Sequence, residues 1–180
     1  MKHVLMTTLF VLALMAEQAV AKRCTELHSM NAKQINIMVQ SYILGEKQDL
    51  GYTLSAIAWK ESQAGSYPIN ISDPSFGVHH ILITSAIKRS GLKDTSFNRN
   101  RLAAKLLEHK VSSMYAIQEL KFWQRKYEND WIKVWASYNA GYSWQNGLKY
   151  ANDIKQRIQL IKLCLIPKSK SKFESKGREM

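Results

Sequence analysis

The sequence predicts an all-α protein with one folded domain, and three observations support this. Apolar residues recur in most segments at the three- and four-residue spacing of one helix face. Glycine punctuates several of these segments, as it does at helix ends. The 180 residues suit one domain better than two, and their 46% hydrophobic content is ordinary for a globular protein.

The predicted helices follow in order along the chain. One covers 31–44, a second starts near Thr53 as its N-cap, and a short one covers 81–88. One long helix or two broken ones cover 99–127, and two more apolar stripes predict the last helices. The residues expected to face the core are Ile35, Met38, Val39, Tyr42, Leu106, Met114, Ile117, Leu120, Trp131, Val134, Trp135, Tyr138, Tyr150, Ile154, Ile158, Ile161 and Leu165.

The two ends of the chain differ from its middle. Residues 1–21 have a short polar start, an apolar run and an Ala19-Val20-Ala21 cleavage site, which together predict a secretory signal peptide. Residues 167–180 are rich in Lys and Ser with little to bury, which predicts a disordered basic tail. The folded domain is therefore expected over 22–166. The apolar run is too short for a comfortable membrane span, so no stable membrane anchor is expected.

The chain contains two cysteines, Cys24 and Cys164, one near each end of the predicted domain. An even number of cysteines in an exported chain favours a disulfide. We therefore expect these two to be bonded, and we expect the protein to be periplasmic or secreted. Two free buried thiols would be the alternative in a cytosolic protein.

The formal net charge of +12 indicates a polyanionic environment, such as peptidoglycan, teichoic acid, lipopolysaccharide or a membrane surface. Nucleic acid is the usual alternative, but the export signal and the lack of a nucleic-acid-binding motif argue against it. His79 and His80 are adjacent, so in an extended chain they point to opposite sides. With no accompanying metal-ligand spacing, we predict no metal site and no cofactor.

One helix carries a carboxylic acid on an otherwise apolar face. Leu54, Ile57, Ala58 and Glu61 are spaced i, i+3, i+4 and i+7. Burial disfavours the ionised form of a carboxyl group, which suits a general acid. Gly65 and the proline that follows are expected to end the helix, which places Glu61 at the mouth of the next loop. An ordinary surface glutamate is the alternative when this spacing is considered alone.

Three motifs then occur in a fixed order: Glu61-Ser62, the segment 77–81 (Gly-Val-His-His-Ile), and the segment 137–141 (Ser-Tyr-Asn-Ala-Gly). Over about residues 35–150 they resemble the lytic transglycosylase (SLT) domain of the lysozyme-like superfamily. That family has a Glu-Ser pair, a Gly-Leu-Met-Gln-Ile segment and an Ala-Tyr-Asn-Ala-Gly segment. This chain departs from the family pattern where His79 and His80 replace Met and Gln.

The resemblance implies a single lysozyme-like domain, a monomer without cofactors, that cleaves the MurNAc–GlcNAc bond of peptidoglycan. Glu61 would protonate the leaving oxygen and then, as a base, deprotonate the muramic 6-hydroxyl to give a 1,6-anhydro product. By match to the motifs, the sugar-binding residues would be Ser62, Ser72, His80, Tyr138 and Asn139. A secretion or wall-spanning machine is a further partner compatible with this activity.

Two other functions stay open at this point. The segment 61–65 with Asp73 and a Phe-Gly pair also resembles the goose-type lysozymes, in which Asp73 would position water for hydrolysis. Asp73 precedes a proline, however, and turn chemistry alone is a sufficient reason for an aspartate there. The other possibility is a non-catalytic wall-binding or scaffold protein in which the basic surface matters most.

Overall fold

A computed structural model describes residues 24–165. The predicted signal peptide (1–21) and the predicted basic tail (167–180) both lie outside this range, so these two predictions stay predictions. Within the described range the protein is mainly helical, which confirms the predicted fold class.

The described residues form eight α-helices, one 3₁₀ turn and three two-residue strands. Their bounds, in chain order, are α1 (Thr25–His28), α2 (Ala32–Glu46), α3 (Gly51–Ser62), β1 (Ile69–Asn70), β2 (Ser75–Phe76), β3 (Ile81–Leu82), α4 (Ile83–Arg89), α5 (Ser96–Leu106), α6 (His109–Lys126), α7 (Trp131–Ala140), the 3₁₀ turn (Trp144–Gly147) and α8 (Leu148–Cys164).

Helix α3 is the centre of the fold. It packs against α2 and α8 and also contacts α6. The predicted stripe of Leu54, Ile57 and Ala58 is fully buried, but so are most of the other residues of the helix, including Ser55 and Trp59. A helix buried on nearly all sides has little freedom to shift, so its last turn is a rigid place for a functional side chain.

The strands form a small antiparallel sheet between α3 and α4, in the order β1-β2-β3. Ile69 pairs with Phe76, and Phe76 in turn pairs with Ile81. The helical spacing gave no indication of this sheet, because strands of two residues are too short for a periodic pattern. The sheet connects the end of α3 to the His79-His80 turn and so shapes one side of the cleft described below.

Two local expectations were wrong. Thr53 is not an N-cap, because α3 begins at Gly51 and Thr53 lies buried inside its first turn. Met114 is half exposed rather than in the core, although Leu106 and Leu120 of the same predicted region are fully buried. The region divides at 107–108 into α5 and α6, which changes the helical phase between the two parts.

The predicted disulfide between Cys24 and Cys164 is confirmed. It joins the residue that precedes α1 to the last residue of α8, across a sequence separation of 140 and a Cα–Cα distance of 5.8 Å. The bond therefore closes almost the whole described chain into one loop. Among residues 24–165, no helix combines the length and the apolar character needed to cross a membrane.

Candidate active site

A cleft of about 490 Å³ lies between the end of α3, the small sheet, α4, α6 and α7. Four of the predicted site residues line it: Glu61, His80, Tyr138 and Asn139. They come from three separate stretches of sequence, so the fold brings the three motifs to one surface.

Glu61 lies in the last turn of α3, and its side chain is 17% exposed. Tyr150, from α8, donates a hydrogen bond of 2.6 Å from its hydroxyl to Glu61 Oε1. Burial, together with the nearby Glu61 charge, raises the pKa of Tyr150 well above its ordinary value. The phenol therefore stays protonated and remains a donor, so it fixes one carboxyl oxygen and leaves the other facing His80.

His80 forms the second contact of this carboxyl group. Its Nδ1 lies 3.4 Å from Glu61 Oε2, and its Nε2 lies 2.7 Å from the backbone carbonyl oxygen of Tyr67. Burial disfavours the protonated ring, but the Glu61 carboxylate and the Tyr67 carbonyl outweigh it, so the pKa of His80 is raised above its ordinary value. The imidazole thus stands between two acceptors at the edge of the cleft.

The turn that carries His80 is anchored by Ser62 and Gly77. Buried Ser62 donates through Oγ to the carbonyl oxygen of Val78 at 2.7 Å and accepts from the N–H of Gly65 at 2.8 Å. Gly77 has φ +84°, and a Cβ there would stand 2.1 Å from the carbonyl oxygen of Leu106. Only glycine allows this close approach, so the second motif is held against the α5–α6 junction.

Behind the cleft, His79 points away from His80 and into the core. It is fully buried, and its backbone N–H and Nδ1 lie 3.1 and 3.3 Å from Ser112 Oγ. Tyr138 donates from its hydroxyl to the carbonyl oxygen of His79 at 2.8 Å. Tyr138 therefore holds the histidine turn, and Tyr150 is the tyrosine that contacts the carboxyl group of Glu61.

Ion pairs fix the end of α3 against α8. Lys60 pairs with Asp153 at 2.5 Å, and Asp153 also accepts from Arg157 Nε at 2.9 Å. The Arg157 guanidinium lies 4.4 Å from the centre of the Trp59 ring. Trp59 and Lys60 directly precede Glu61, so these contacts hold the end of α3 close to Tyr150 of α8.

The far end of the cleft holds a second carboxylate. Glu119, on α6, accepts from the Arg89 guanidinium of α4 through one oxygen and from the indole N–H of Trp123 through the other. Phe122, Trp123 and Tyr142 provide aromatic surface nearby, with Tyr142 69% exposed. Glu119 is thus occupied by two donors, while the wall beside it is aromatic.

The structure places two predicted sugar-binding residues away from the cleft. Ser62 is fully buried and supports the loop, so it has no surface to offer a ligand. Ser72 is exposed on the loop between β1 and β2, where it donates to Asn70 Oδ1 at 2.7 Å. Asp73, by contrast, does line the cleft, and it is exposed in the 71–74 turn.

Sequence reasoning missed Tyr150 as the hydrogen-bond partner of Glu61 and Glu119 as a residue of the cleft lining. Tyr150 belongs to a helical apolar stripe and reads as a core residue, and no local motif accompanies it. Glu119 and Trp123 are four residues apart on one helix, which is a detectable signal for an indole–carboxylate contact. No cluster of three or more His, Cys, Asp or Glu side chains suited to a metal ion occurs within residues 24–165.

No protein-family model matches the chain, and no solved structure matches it. A protein of Enterobacteria phage T4, described as an uncharacterized 20.7 kDa protein in the vs-regB intergenic region, is 25% identical over 183 residues. The similarity covers 90% of this chain and 94% of the phage protein. The chain is thus similar, over nearly its whole length, to a protein whose description names no activity.

Proposed function

We propose that the protein is a lytic transglycosylase that cleaves the MurNAc–GlcNAc backbone of peptidoglycan, with Glu61 as general acid and then base. The observation that carries the proposal is the position of Glu61. It is a partly buried carboxyl group at the end of the central helix, it lines an open cleft, and one of its oxygens is held by Tyr150.

The chemistry needs one such group. Cleavage of a glycosidic bond requires a proton on the leaving oxygen while positive charge develops on the sugar ring. The same carboxylate can then take the proton of the muramic 6-hydroxyl, whose oxygen attacks the anomeric carbon. Since the hydroxyl belongs to the sugar itself, the reaction is intramolecular and needs no carboxylate to orient water.

The rest of the cleft suits a glycan strand. Pyranose rings have polar edges and apolar faces, and the cleft offers both kinds of partner. Asn70 and Asn139 provide hydrogen-bonding groups, whereas Phe122 and Tyr142 provide aromatic surface. The net charge of +12 would favour approach to an anionic wall. The disulfide is consistent with an exported protein that meets peptidoglycan in the periplasm or outside the cell.

The test is digestion of purified peptidoglycan with mass analysis of the released fragments. Wild-type protein should release muropeptides, and Glu61→Gln should release none while keeping its circular dichroism spectrum and thermal midpoint. Gln has nearly the same shape but cannot donate the proton, and general acid–base catalysis is typically worth roughly a hundred- to ten-thousand-fold. Near-normal turnover by this variant would remove Glu61 from the mechanism.

The same experiment separates the two other candidates. A goose-type hydrolase would use Asp73, which lines the same cleft, and would give products with reducing ends. A wall-binding or scaffold protein would sediment with isolated walls and release no fragments. If the wild-type protein neither binds nor cleaves walls, all three candidate functions are excluded.

A further inference from the structure

We propose that Glu61 and His80 work as a pair that holds one proton, which moves between Glu61 Oε2 and His80 Nδ1. His80 is then a positioning residue that keeps the catalytic carboxyl group supplied with its proton. This inference rests on the proposed function for its catalytic part, whereas the pairing itself is measurable in the resting protein.

The hydrogen-bonding capacity of the two ring nitrogens of His80 determines where its protons lie. The Tyr67 carbonyl oxygen can only accept, so His80 Nε2, at 2.7 Å from it, must carry a proton. In a neutral ring Nδ1 would then be a bare acceptor, facing Glu61 Oε2 at 3.4 Å. If Glu61 were ionised, its Oε2 lone pairs would repel the Nδ1 lone pair. The contact is therefore favourable only when one proton lies between Oε2 and Nδ1.

The contacts of the two carboxyl oxygens of Glu61 also place the shared proton at Oε2. Tyr150 donates to Oε1, so that oxygen is occupied, and the proton of a neutral carboxyl group is directed to Oε2. Oε2 is the oxygen that faces His80 Nδ1. The two forms of the pair, carboxylate with imidazolium and carboxyl with imidazole, therefore differ only in the position of one proton.

The charged and titratable groups around the pair do not compete for this proton. Tyr150 of α8 and Tyr138 of α7 are buried phenols whose pKa values are raised by burial and by the Glu61 charge. His79 is neutral, since burial lowers its pKa to about 3. Lys60 and Arg157 both pair with Asp153, and Glu119 of α6 pairs with Arg89. The two other charged residues of the cleft lining, Asp73 and Lys88, are exposed to solvent.

The pair holds the same number of protons before and after one reaction. The Nδ1–H bond breaks as the Glu61 O–H bond forms, which leaves a neutral imidazole still donating from Nε2 to Tyr67. Glu61 then gives the proton to the glycosidic oxygen, which takes the electron pair of the breaking C–O bond. The carboxylate next accepts the proton of the muramic 6-hydroxyl as its oxygen bonds to the anomeric carbon, and the pair again holds one proton.

The pairing is tested by following the imidazole chemical shifts of the full chain by NMR as the pH is raised from about 4 to 10. In the wild type His80 should titrate above the ordinary histidine pKa of about 6.5, and in Glu61→Gln its midpoint should fall. Exposed His28 provides a control in the same spectra, and its ring shifts should be the same in the two proteins. An identical His80 midpoint in both proteins would overturn the pairing.

The catalytic role is tested by the pH profile of wall cleavage. In His80→Gln the alkaline limb should move to lower pH, because the Nδ1 atom that shares the proton with Glu61 Oε2 is then absent, whereas His28→Gln should keep the wild-type profile. If the wild type cleaves walls but the alkaline limb of the pH profile is the same in His80→Gln, His80 does not have this role. The proposed function is then unaffected. A wild type that cleaves nothing refutes the proposed function and with it this role, while the NMR shift still decides the pairing.

Discussion

Tyr150 donates a hydrogen bond of 2.6 Å to Glu61, although 89 residues separate the two in sequence. Helix α8 therefore contributes to the candidate site as well as to the core. In Tyr150→Phe the ring stays and only the donor is lost. A hydrogen bond to a charged group contributes roughly 1.5–3 kcal/mol, so wall cleavage should fall by roughly 10- to 150-fold.

The matched control for this variant is Tyr127→Phe, because Tyr127, at the C-terminal end of α6, stacks on Trp123, whereas Tyr150 contacts Glu61. Both variants should keep a thermal midpoint close to that of the wild type. Equal activity in the two would show that the Tyr150 hydroxyl does not position the carboxyl group of Glu61.

The disulfide gives a prediction about stability. Unreduced protein should take up no alkylating reagent at Cys24 or Cys164, and reduced protein should take up two equivalents, as measured by mass spectrometry. Because the bond closes a loop with a separation of 140 residues, the chain-entropy relation predicts a contribution of up to about 5 kcal/mol. The double Cys→Ser variant should unfold at clearly lower denaturant concentration. Alkylation of both thiols without reduction would contradict the pairing in solution.

Acid should destabilise the protein through His79. Burial lowers its pKa to about 3, against about 6.5 in the unfolded chain. Above about pH 6.5 the ring is neutral in both states, and its contribution to stability is fully present. As the pH falls towards 3, the unfolded chain binds the proton first, so the free energy of unfolding decreases. Between pH 7 and 4.5 the loss from this one group should be roughly 2–3 kcal/mol.

Urea denaturation at the two pH values measures this loss. His79→Gln should lose less stability on acidification than the wild type, and His28→Gln should match the wild type. The remaining acid sensitivity should include His109, whose pKa is also lowered by burial. If the His79 variant does not fold, NMR of the wild type replaces it as the test. The chemical shifts of the His79 ring should then stay constant down to pH 4.5. A His79 midpoint near 6.5 would refute the prediction.

The sequence allowed the helical fold, the central helix and the disulfide to be predicted, because each depends on a local or countable signal. The spacing of Leu54, Ile57 and Ala58 identifies a buried face, and two cysteines in a chain predicted to be exported leave one pairing. The extent of burial of α3 could not be predicted, since its other faces are covered by helices far away in sequence.

The site was predictable only in part, because hydrogen-bond partners are set by tertiary structure. Tyr138 and Tyr150 both carry a phenol on an apolar stripe, yet Tyr138 contacts the carbonyl of His79 and Tyr150 contacts Glu61. Nothing local to either tyrosine distinguishes these outcomes. Ser62 shows the same limit: it follows Glu61 in the motif, but the helix turns its hydroxyl inward to Val78.

The last prediction concerns the choice between lyase and hydrolase, and it depends on the second acid. A hydrolase needs a carboxylate free to orient water on the far face of the sugar ring. Of the two other acids that line the cleft, Glu119 is engaged by Arg89 and Trp123, so it is not free for that task. Asp73 is exposed in a turn before a proline, where an aspartate has a structural reason of its own.

We therefore expect Asp73→Asn to keep most of the wall-cleaving activity and the released muropeptides to carry 1,6-anhydro ends. These ends are lighter than reducing ends by the mass of one water, so mass spectrometry of one digest distinguishes them. Glu61→Gln, prepared in parallel, gives the level of full inactivation. The intramolecular route keeps the attacking hydroxyl beside the reacting carbon, so loss of the Asp73 charge should matter little. Reducing ends, together with a loss in Asp73→Asn as complete as in Glu61→Gln, would instead establish the goose-type hydrolytic mechanism.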